Sequence, residues 1–373
     1  MKIPKVADIV GIINKIAPMA LAEAWDNPGL QIGDPAAIVT GVMVALDPTP
    51  DVIDSALAAS CQLLVTHHPL IFKPLKSISA ATAHGAAIQK AIKGGLSIVS
   101  LHTNYDIARG GLNDLLSGKI GLSDGVPLKI TTVDELVKLV VFIPVDHLER
   151  MRSALFPFIA TQGRQYRDCS FAADGIGTFT PLEGAVPFTG TAGVLAQVPE
   201  GRLEVLIQRM LLPRAVKALL AAHPYEEPAF DIYPLLNEGP KQGLGRIGRL
   251  QEPTTLAEYA GRLRNSLSAP ALRYVGDPAA RISKVALCSG SGASLLRDAA
   301  RSGADVLVTG DVKYHEARDA EDLGLALIDA GHFPTEIIMV HEITERLGGE
   351  LAKAGYADCQ VEACQTESDP FRI

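Results

Sequence analysis

Leu64-Val65-Thr66-His67-His68 and Leu307-Val308-Thr309-Gly310-Asp311 decide the fold. Each is a short apolar run that ends on threonine and is followed by residues able to carry charge or hold a metal. Neither run alternates polar with apolar residues, so each reads as a strand buried on both faces, the pattern of a parallel sheet. Around the first, Val42-Met43-Val44-Ala45-Leu46 precedes and Ser97 to Leu101 follows. The turn Asp47-Pro48-Thr49-Pro50-Asp51 supplies a cap for an Ala-rich helix to about Ser60, and a second helix from about Ala80 to Lys93 stops at Gly94-Gly95. Around the second, Lys284-Val285-Ala286-Leu287 precedes and Leu325-Ala326-Leu327-Ile328 follows, with helices from about Ala293 and His315. Strands alternating with helices imply right-handed crossovers and a mainly parallel sheet. The expected fold class is therefore α/β, with a core domain of two pseudo-repeated α/β halves sharing one cleft. An amphipathic helix carrying Val6, Ile9, Val10, Ile13 and Ile16 opens the chain.

Between the halves the pattern changes. Leu136 to Pro144 is a strongly apolar strand, and Asp146 is placed to cap a helix from about His147 to Ala160. Tyr166 to Phe171, Gly193 to Gln197 and Leu203 to Gln208 read as strands, Pro213 to Ala222 as a helix and Ala229 to Tyr233 as a strand. The core of this is β-α-β-β-α-β, a ferredoxin-like α+β arrangement. The expected organisation is residues 1–129 as the N-terminal half, 130–236 as an inserted domain and 237–373 as the C-terminal half, with Asn237-Glu238-Gly239-Pro240 as the exit linker.

Composition excludes several classes. With 47% hydrophobic and 20% charged residues the chain is globular rather than disordered. The net charge of −8, from 34 Lys+Arg against 42 Asp+Glu, disfavours nucleic acid as the main partner. No run of about 18 apolar residues occurs, so no membrane span is expected. The five cysteines are odd in number, scattered and without C-x-x-C, and read as reduced thiols. The apolar stretch from Val6 is broken by Asp8 and Lys15, unlike a signal peptide, so a cytoplasmic location is expected.

Parallel sheets place ligands at the carboxyl ends of their strands. Four polar clusters fall there: His67-His68, His102 to Asp106, Asp311 to His315 and His332 to Glu336. Imidazole with carboxylate is the donor set of Zn, Mn, Fe, Co or Ni. Adjacent His67 and His68 point apart in extended backbone, so each suits one of two neighbouring ions. His332 and Glu336 stand four apart across Pro334; proline is tolerated in a helix's first turn, so His332 is placed just before the helix and Glu336 in its first turns. Asp106 is the other carboxylate candidate, against an ordinary role as a turn former. His102 and His315 are candidate proton carriers, or hydrogen-bond supports of a ligand carboxylate.

Other motifs read more plainly. Ser289-Gly290-Ser291-Gly292 follows a strand and has the shape of an anion cradle, but lacks a P-loop lysine. Gly243 to Gly248 spells G-x-G-x-x-G without a following βαβ unit, so it reads as a junction turn. Trp25-Asp26-Asn27 reads as a loop with a packing tryptophan. Lys73, Arg109 and Lys313 read as solvated charge, and His223 with Glu226 and Glu227 as a strand-edge or subunit contact.

Taken in order, seven motifs resemble one family across essentially the whole chain. They are Trp25-Asp26-Asn27-Pro28-Gly29-Leu30 with Gly33, Thr66-His67-His68-Pro69-Leu70-Ile71-Phe72, His102-Thr103-Asn104-Tyr105-Asp106, Gly243 to Gly248, Ser289 to Gly292, Thr309-Gly310-Asp311 with His315, and Gly331-His332-Phe333-Pro334-Thr335-Glu336. The chain is similar to the Nif-three-like family, known as GTP cyclohydrolase type 2 homologs, in its long bacterial form. The inserted segment, including His223 to Pro228, resembles that form's PII-like domain. The resemblance implies a dinuclear metal site, with His67 and Asp106 on one divalent ion, His68 and His332 on the other, and Glu336 bridging. It also implies a toroidal homohexamer with the metal sites facing an internal cavity. Two ions about 3.5–4 Å apart would acidify a water and clamp a substrate oxygen. The expected activity is hydrolysis of a small, nucleotide-like substrate, a metal-bound hydroxide opening a purine ring as in a GTP cyclohydrolase type 2. The alternatives are a metal-binding or metal-delivery protein without turnover and a regulatory interaction protein.

Overall fold

The computed structural model describes residues 2–160 and 166–372. It divides into two compact units, Met1–Thr131 with Gln242–Ile373, and Thr132–Lys241.

In the larger unit the first sheet runs, edge to edge, Gly29–Ile32, Ser97–Ser100, Leu63–Thr66, Gly41–Ala45 and Gln360–Ala363. The last four are parallel, with Val44 opposite Val65 and Val65 opposite Val99, while Gly29–Ile32 is antiparallel. The second sheet runs Arg273–Val275, Ala326–Asp329, Val306–Thr309, Arg281–Leu287, Lys241–Thr255 and Leu122–Val133. Its second to fourth strands are parallel, and Arg273–Val275 and Lys241–Thr255 are antiparallel to their neighbours.

The apolar runs are explained by burial on both faces. Leu63 and Val65 point to a cluster shared with Val6, Ile9 and Ile13, while Leu64 points to one shared with Val52, Ile53 and Ile88. Five apolar residues of the opening helix Val6–Ile16 are buried, and each fully buried aliphatic side chain contributes roughly 1.5–3 kcal/mol. Thr49 caps the helix Pro50–Ala58 by accepting from Val52 N, with Pro50 in its first turn.

The two halves exchange elements, which the sequence reading did not foresee. The C-terminal strand Gln360–Ala363 pairs with Gly41–Ala45, and the helix Ile338–Lys353 lays Met339, Ile343, Leu347 and Leu351 into the first sheet's core. Conversely, Leu122–Val133 is an edge strand of the second sheet. An apolar helix stripe specifies that a face will be buried, but not which sheet buries it.

The smaller unit is a wholly antiparallel sheet in the order Ser170–Phe179, Ala196–Gln208, Leu136–Pro144, Phe230–Pro234, with the helices Leu148–Leu155 and Leu212–Ala222 contributing to its core. Ala196–Gln208 is one strand where the sequence suggests two, because Pro199 and Gly201 look like breakers. Pro199 pairs with Ile176 only; the strand Leu136–Pro144 ends opposite Glu200, so no ladder bond is lost on that side. The helix expected from His147 to Ala160 is shorter. Asp146 lies in a 3₁₀ turn before it, and Pro157 sits in a second such turn after it. The exit segment extends to Lys241 because Asp134 N donates to Pro240 O at 3.0 Å, tying exit to entry.

Candidate metal centre

Six parallel strands of the larger unit end in polar residues, all but Asp47 singled out by sequence. Asp47 follows Gly41–Ala45, His67 and His68 follow Leu63–Thr66, and His102 follows Ser97–Ser100. From the second sheet, Ser289 follows Arg281–Leu287, Asp311 follows Val306–Thr309, and His332 follows Ala326–Asp329. The helix Thr103–Ile107 then delivers Asp106, and the short helix His332–Glu336 delivers Glu336.

Four imidazoles have one nitrogen tied down at the same distance. Nδ1 of His67 is 2.7 Å from Leu101 O, that of His68 2.7 Å from Asp47, that of His102 2.7 Å from Asp26 and that of His332 2.7 Å from Asp311. A carbonyl only accepts, so Nδ1 of His67 carries the hydrogen and its neutral ring presents a lone pair at Nε2. This fixing of tautomer and orientation is what outer partners do for metal-binding histidines.

The Nε2 atoms converge on Glu336. Oε1 lies 3.6 Å from His67 Nε2, and Oε2 lies 3.1 Å from His68 and 3.0 Å from His332. Asp106 Oδ1 lies 3.8 Å from His67 Nε2 and accepts from the Ser289 hydroxyl at 3.2 Å. His67 is 0% and Glu336 3% exposed. Even so, His67 Nε2 and Glu336 Oε2 are buried without a properly aimed hydrogen bond. Unpartnered buried polar atoms are costly, and a cation between them would satisfy both. The donors fit metal: His68, His332 and Glu336 form one group able to hold an ion, and His67, His68 and His102 form another.

Electrostatics tell the same story. Burial alone would push His67 down, but the Glu336 and Asp106 carboxylates outweigh it and hold the ring above its ordinary value. His68, against the same opposing burial, is raised to about 10 by Asp47 and Glu336. His332 is raised to about 9, chiefly by its contact with Glu336. Burial pushes Glu336 up, yet the surrounding imidazoles, His67 first, hold it well below the carboxylate range. Burial leaves Asp106 raised. Without metal, protons supply the positive charge that Glu336 requires.

The Ser289–Gly292 loop serves a different end from the anion cradle its letters suggest. Ser289 N donates to Asn113 Oδ1 at 2.9 Å, Gly290 N to Thr335 Oγ1 at 3.1 Å and Gly292 N to Thr309 Oγ1 at 2.8 Å. These amides are spent on closing the loop over the site. Gly290 has φ +56°, and a Cβ there would fall on Glu336 Oε1 and 3.1 Å from His332 Nε2. Gly243 to Gly248 lies inside the strand Lys241–Thr255, which continues past the motif before the helix Leu256–Ser266 begins, so no helix opens on the glycines to receive a dinucleotide. Its Arg246 is buried, pairs with Asp114, and donates to Ala108 O at 3.3 Å and Ile107 O at 3.5 Å, bracing the end of the helix that carries Asp106.

Of the proton-carrier candidates, His102 joins the cluster, its ring centroid 5.2 Å from that of His67. His315 is exposed on the helix Tyr314–Asp322, its ring edge-on to Tyr314. Lys313 lines a cleft of about 890 Å³ beside His68 and His332, together with Arg273 and Phe371. Lys73 and Arg109 are exposed. In the smaller unit, His223 is buried, its Nε2 2.9 Å from Phe142 O and its Nδ1 accepting from Tyr225 N. Sequence reasoning missed Asp26 and Asp47 as partners of His102 and His68. Asp47 follows a parallel strand directly, and that signal would have found it.

Residues 4–370 match the Duf34/NIF3 (NGG1p interacting factor 3) family. The chain belongs to this family. A relative in Halalkalibacterium halodurans named GTP cyclohydrolase 1 type 2 homolog is 42% identical over 371 residues, covering 100% of this chain and 99% of the relative. One of the same name in Bacillus subtilis is 38% identical, with 97% of each chain covered. Among solved structures, a Bacillus cereus protein related to NIF3 superposes with a TM-score of 0.91 at 40% identity over 100% of both chains. Staphylococcus aureus protein SA1388 gives 0.73 at 30% identity, covering 100% of this chain and 99% of that one. The Duf34/NIF3 assignment thus spans both units. Among the described residues no helix is long and apolar enough to cross a membrane.

Proposed function

We propose that this Duf34/NIF3 chain is a dinuclear-metal-dependent hydrolase of a small nucleotide-like substrate, with ring opening of the GTP cyclohydrolase type 2 kind as its reaction. The division of the Glu336 carboxylate carries the reading: one oxygen faces His67 and the other faces His68 and His332. That supports His67 and Asp106 holding one divalent ion, His68 and His332 the other, and Glu336 both. Nitrogen and carboxylate donors suit Zn, Mn, Fe, Co or Ni. Such a pair acidifies water and polarises a substrate oxygen. The chain supplies the rest. His102, fixed by Asp26, presents its free nitrogen beside the site and moves the proton. Ser289 orients Asp106, and Lys313 in the adjoining cleft offers charge to phosphate.

The same family reading makes the inserted unit a ferredoxin-like, PII-like domain and the assembly a toroidal hexamer. The antiparallel order of its four strands supports the first. Exposed Ile176, Leu182, Val186 and Leu236 support an association surface. The antiparallel strand beside the third parallel strand of each core sheet supports a pseudo-repeat. The decisive experiment is turnover of a nucleotide panel by protein loaded with each metal, beside His68→Ala and Glu336→Ala. Loss of both metal and turnover is expected; turnover retained in either variant contradicts the mechanism, and metal bound without turnover points to a carrier.

A further inference from the structure

Trp25, Asp26 and Asn27 do three separate things. Trp25 is 59% exposed although it is the chain's sole tryptophan and its largest apolar ring. It makes a T-shaped contact with Phe72, itself 42% exposed, at 5.9 Å between centroids. Both rings stand edge-on to His102, at 6.1 Å and 6.0 Å. The three rings form a near-equilateral set whose imidazole lies 5.7 Å from that of His68. Asp26 has a fully buried side chain that holds His102 Nδ1 and accepts from Thr103 N at 3.0 Å. Asn27 staples the tryptophan loop to the phenylalanine loop. Its Nδ2 donates to Ile71 O at 2.6 Å, Ile71 N donates to Gln31 Oε1 at 3.1 Å, and Gln31 Nε2 donates back to Asn27 O at 2.7 Å.

A tryptophan that served packing would be covered. This one is held outward while the two residues that follow it, Asp26 and Asn27, are locked, so its exposure is imposed by the fold. The exposed patch is two rings wide, far below the area of a stable protein interface. It matches one flat heterocycle, which aromatic faces receive by stacking.

We propose that Trp25 and Phe72 form a base-recognition wall that takes the flat face of a purine-class nitrogen heterocycle and sets it beside His102. The proposal rests on the hydrolase reading for why a base comes to this site, but binding alone tests it. Trp25 is the only indole, so tryptophan emission reports on this wall and nothing else. The full chain is titrated with guanosine 5′-monophosphate, guanosine, ribose 5-phosphate and inorganic phosphate, exciting at the red edge of the indole band. Saturable quenching by the nucleotide and the nucleoside, and none by the sugar phosphate or phosphate, is the expected result. Phe72→Ala, an exposed position whose fold is checked by thermal melting, should weaken the midpoint roughly five- to tenfold, equivalent to about 1–1.4 kcal/mol. Equal quenching by ribose 5-phosphate, no saturable quenching, or an unmoved midpoint in Phe72→Ala overturns the proposal. So does an emission that changes only with protein concentration, which would mark a contact between copies. Repeating the titration in Glu336→Gln separates the two readings. Quenching there without turnover keeps the wall whatever the ions do, whereas turnover in the native chain without quenching removes the wall and leaves the hydrolase.

Discussion

Gly290→Ala adds one methyl group and replaces none of the donor residues, yet it should disrupt the candidate metal centre. The residue has φ +56°, a left-handed conformation that costs a residue with a Cβ about 1–2 kcal/mol. The methyl carbon would overlap Glu336 Oε1, so the carboxylate must move. Glu336 is buried among three imidazoles, and losing one charge-assisted contact there costs about 1.5–3 kcal/mol. Together these amount to roughly 2.5–5 kcal/mol in the metal-free protein, a fall in melting temperature of about 5–10 °C. Metal affinity should fall at least about 10–100-fold, as when outer supports of a metal ligand are removed. The assay is metal content by mass spectrometry after dialysis against a metal buffer, with thermal melts with and without metal. Gly349→Ala is the control: it lies in the helix Ile338–Lys353 with nothing within 4 Å of an added Cβ, and should stabilise by about 0.5–1 kcal/mol. Full metal content and unchanged affinity in Gly290→Ala would refute the claim that glycine is required there to leave room for Glu336.

Other expectations follow from the same geometry. His68 and His332 are raised to about 10 and about 9, so near neutral pH each ion that binds must displace protons; calorimetry in buffers of different ionisation enthalpy should show proton release, with affinity climbing as pH rises towards 9. For the metal-free protein the sign runs the other way. A folded value above the unfolded imidazole's value of about 6.5 stabilises fully below that pH, so the melting temperature should drop as pH rises through 9 and 10, and a flat profile would contradict the raised values. Asp47→Asn keeps the shape but weakens the acceptor for His68 Nδ1, and should lower metal affinity about 10–100-fold with little change in fold, read by competition with a chelator. Arg246→Leu removes a buried charge together with its pairing to Asp114 and its bonds to the carbonyls of Gly243, Gly245 and Ala108, and should destabilise by about 3–5 kcal/mol in chemical denaturation.

The sequence determined which side chains the structure gathers, and the reason is local. A strand buried on both faces needs an unbroken apolar run, and the polar residues just beyond such runs mark the carboxyl end of a parallel sheet. His67, His68, His102, Asp106, His332 and Glu336 are all readable that way. His315 obeys the same rule yet stays exposed beside Tyr314, because strand-end position fixes a neighbourhood and not a direction. Tertiary structure alone decided what holds the cluster. Asp26 is 76 residues from His102, and Leu101 O is 34 from His67 Nδ1, so neither pairing leaves a local pattern. Gly290 is needed for its left-handed turn and because Glu336, brought in from two strands further along the chain, presses against it. Likewise Gln360–Ala363 joins the first sheet and Leu122–Val133 the second. Periodicity records that a face is buried, whereas the partner that buries it is chosen by sheet register and packing, which exist only in the folded chain.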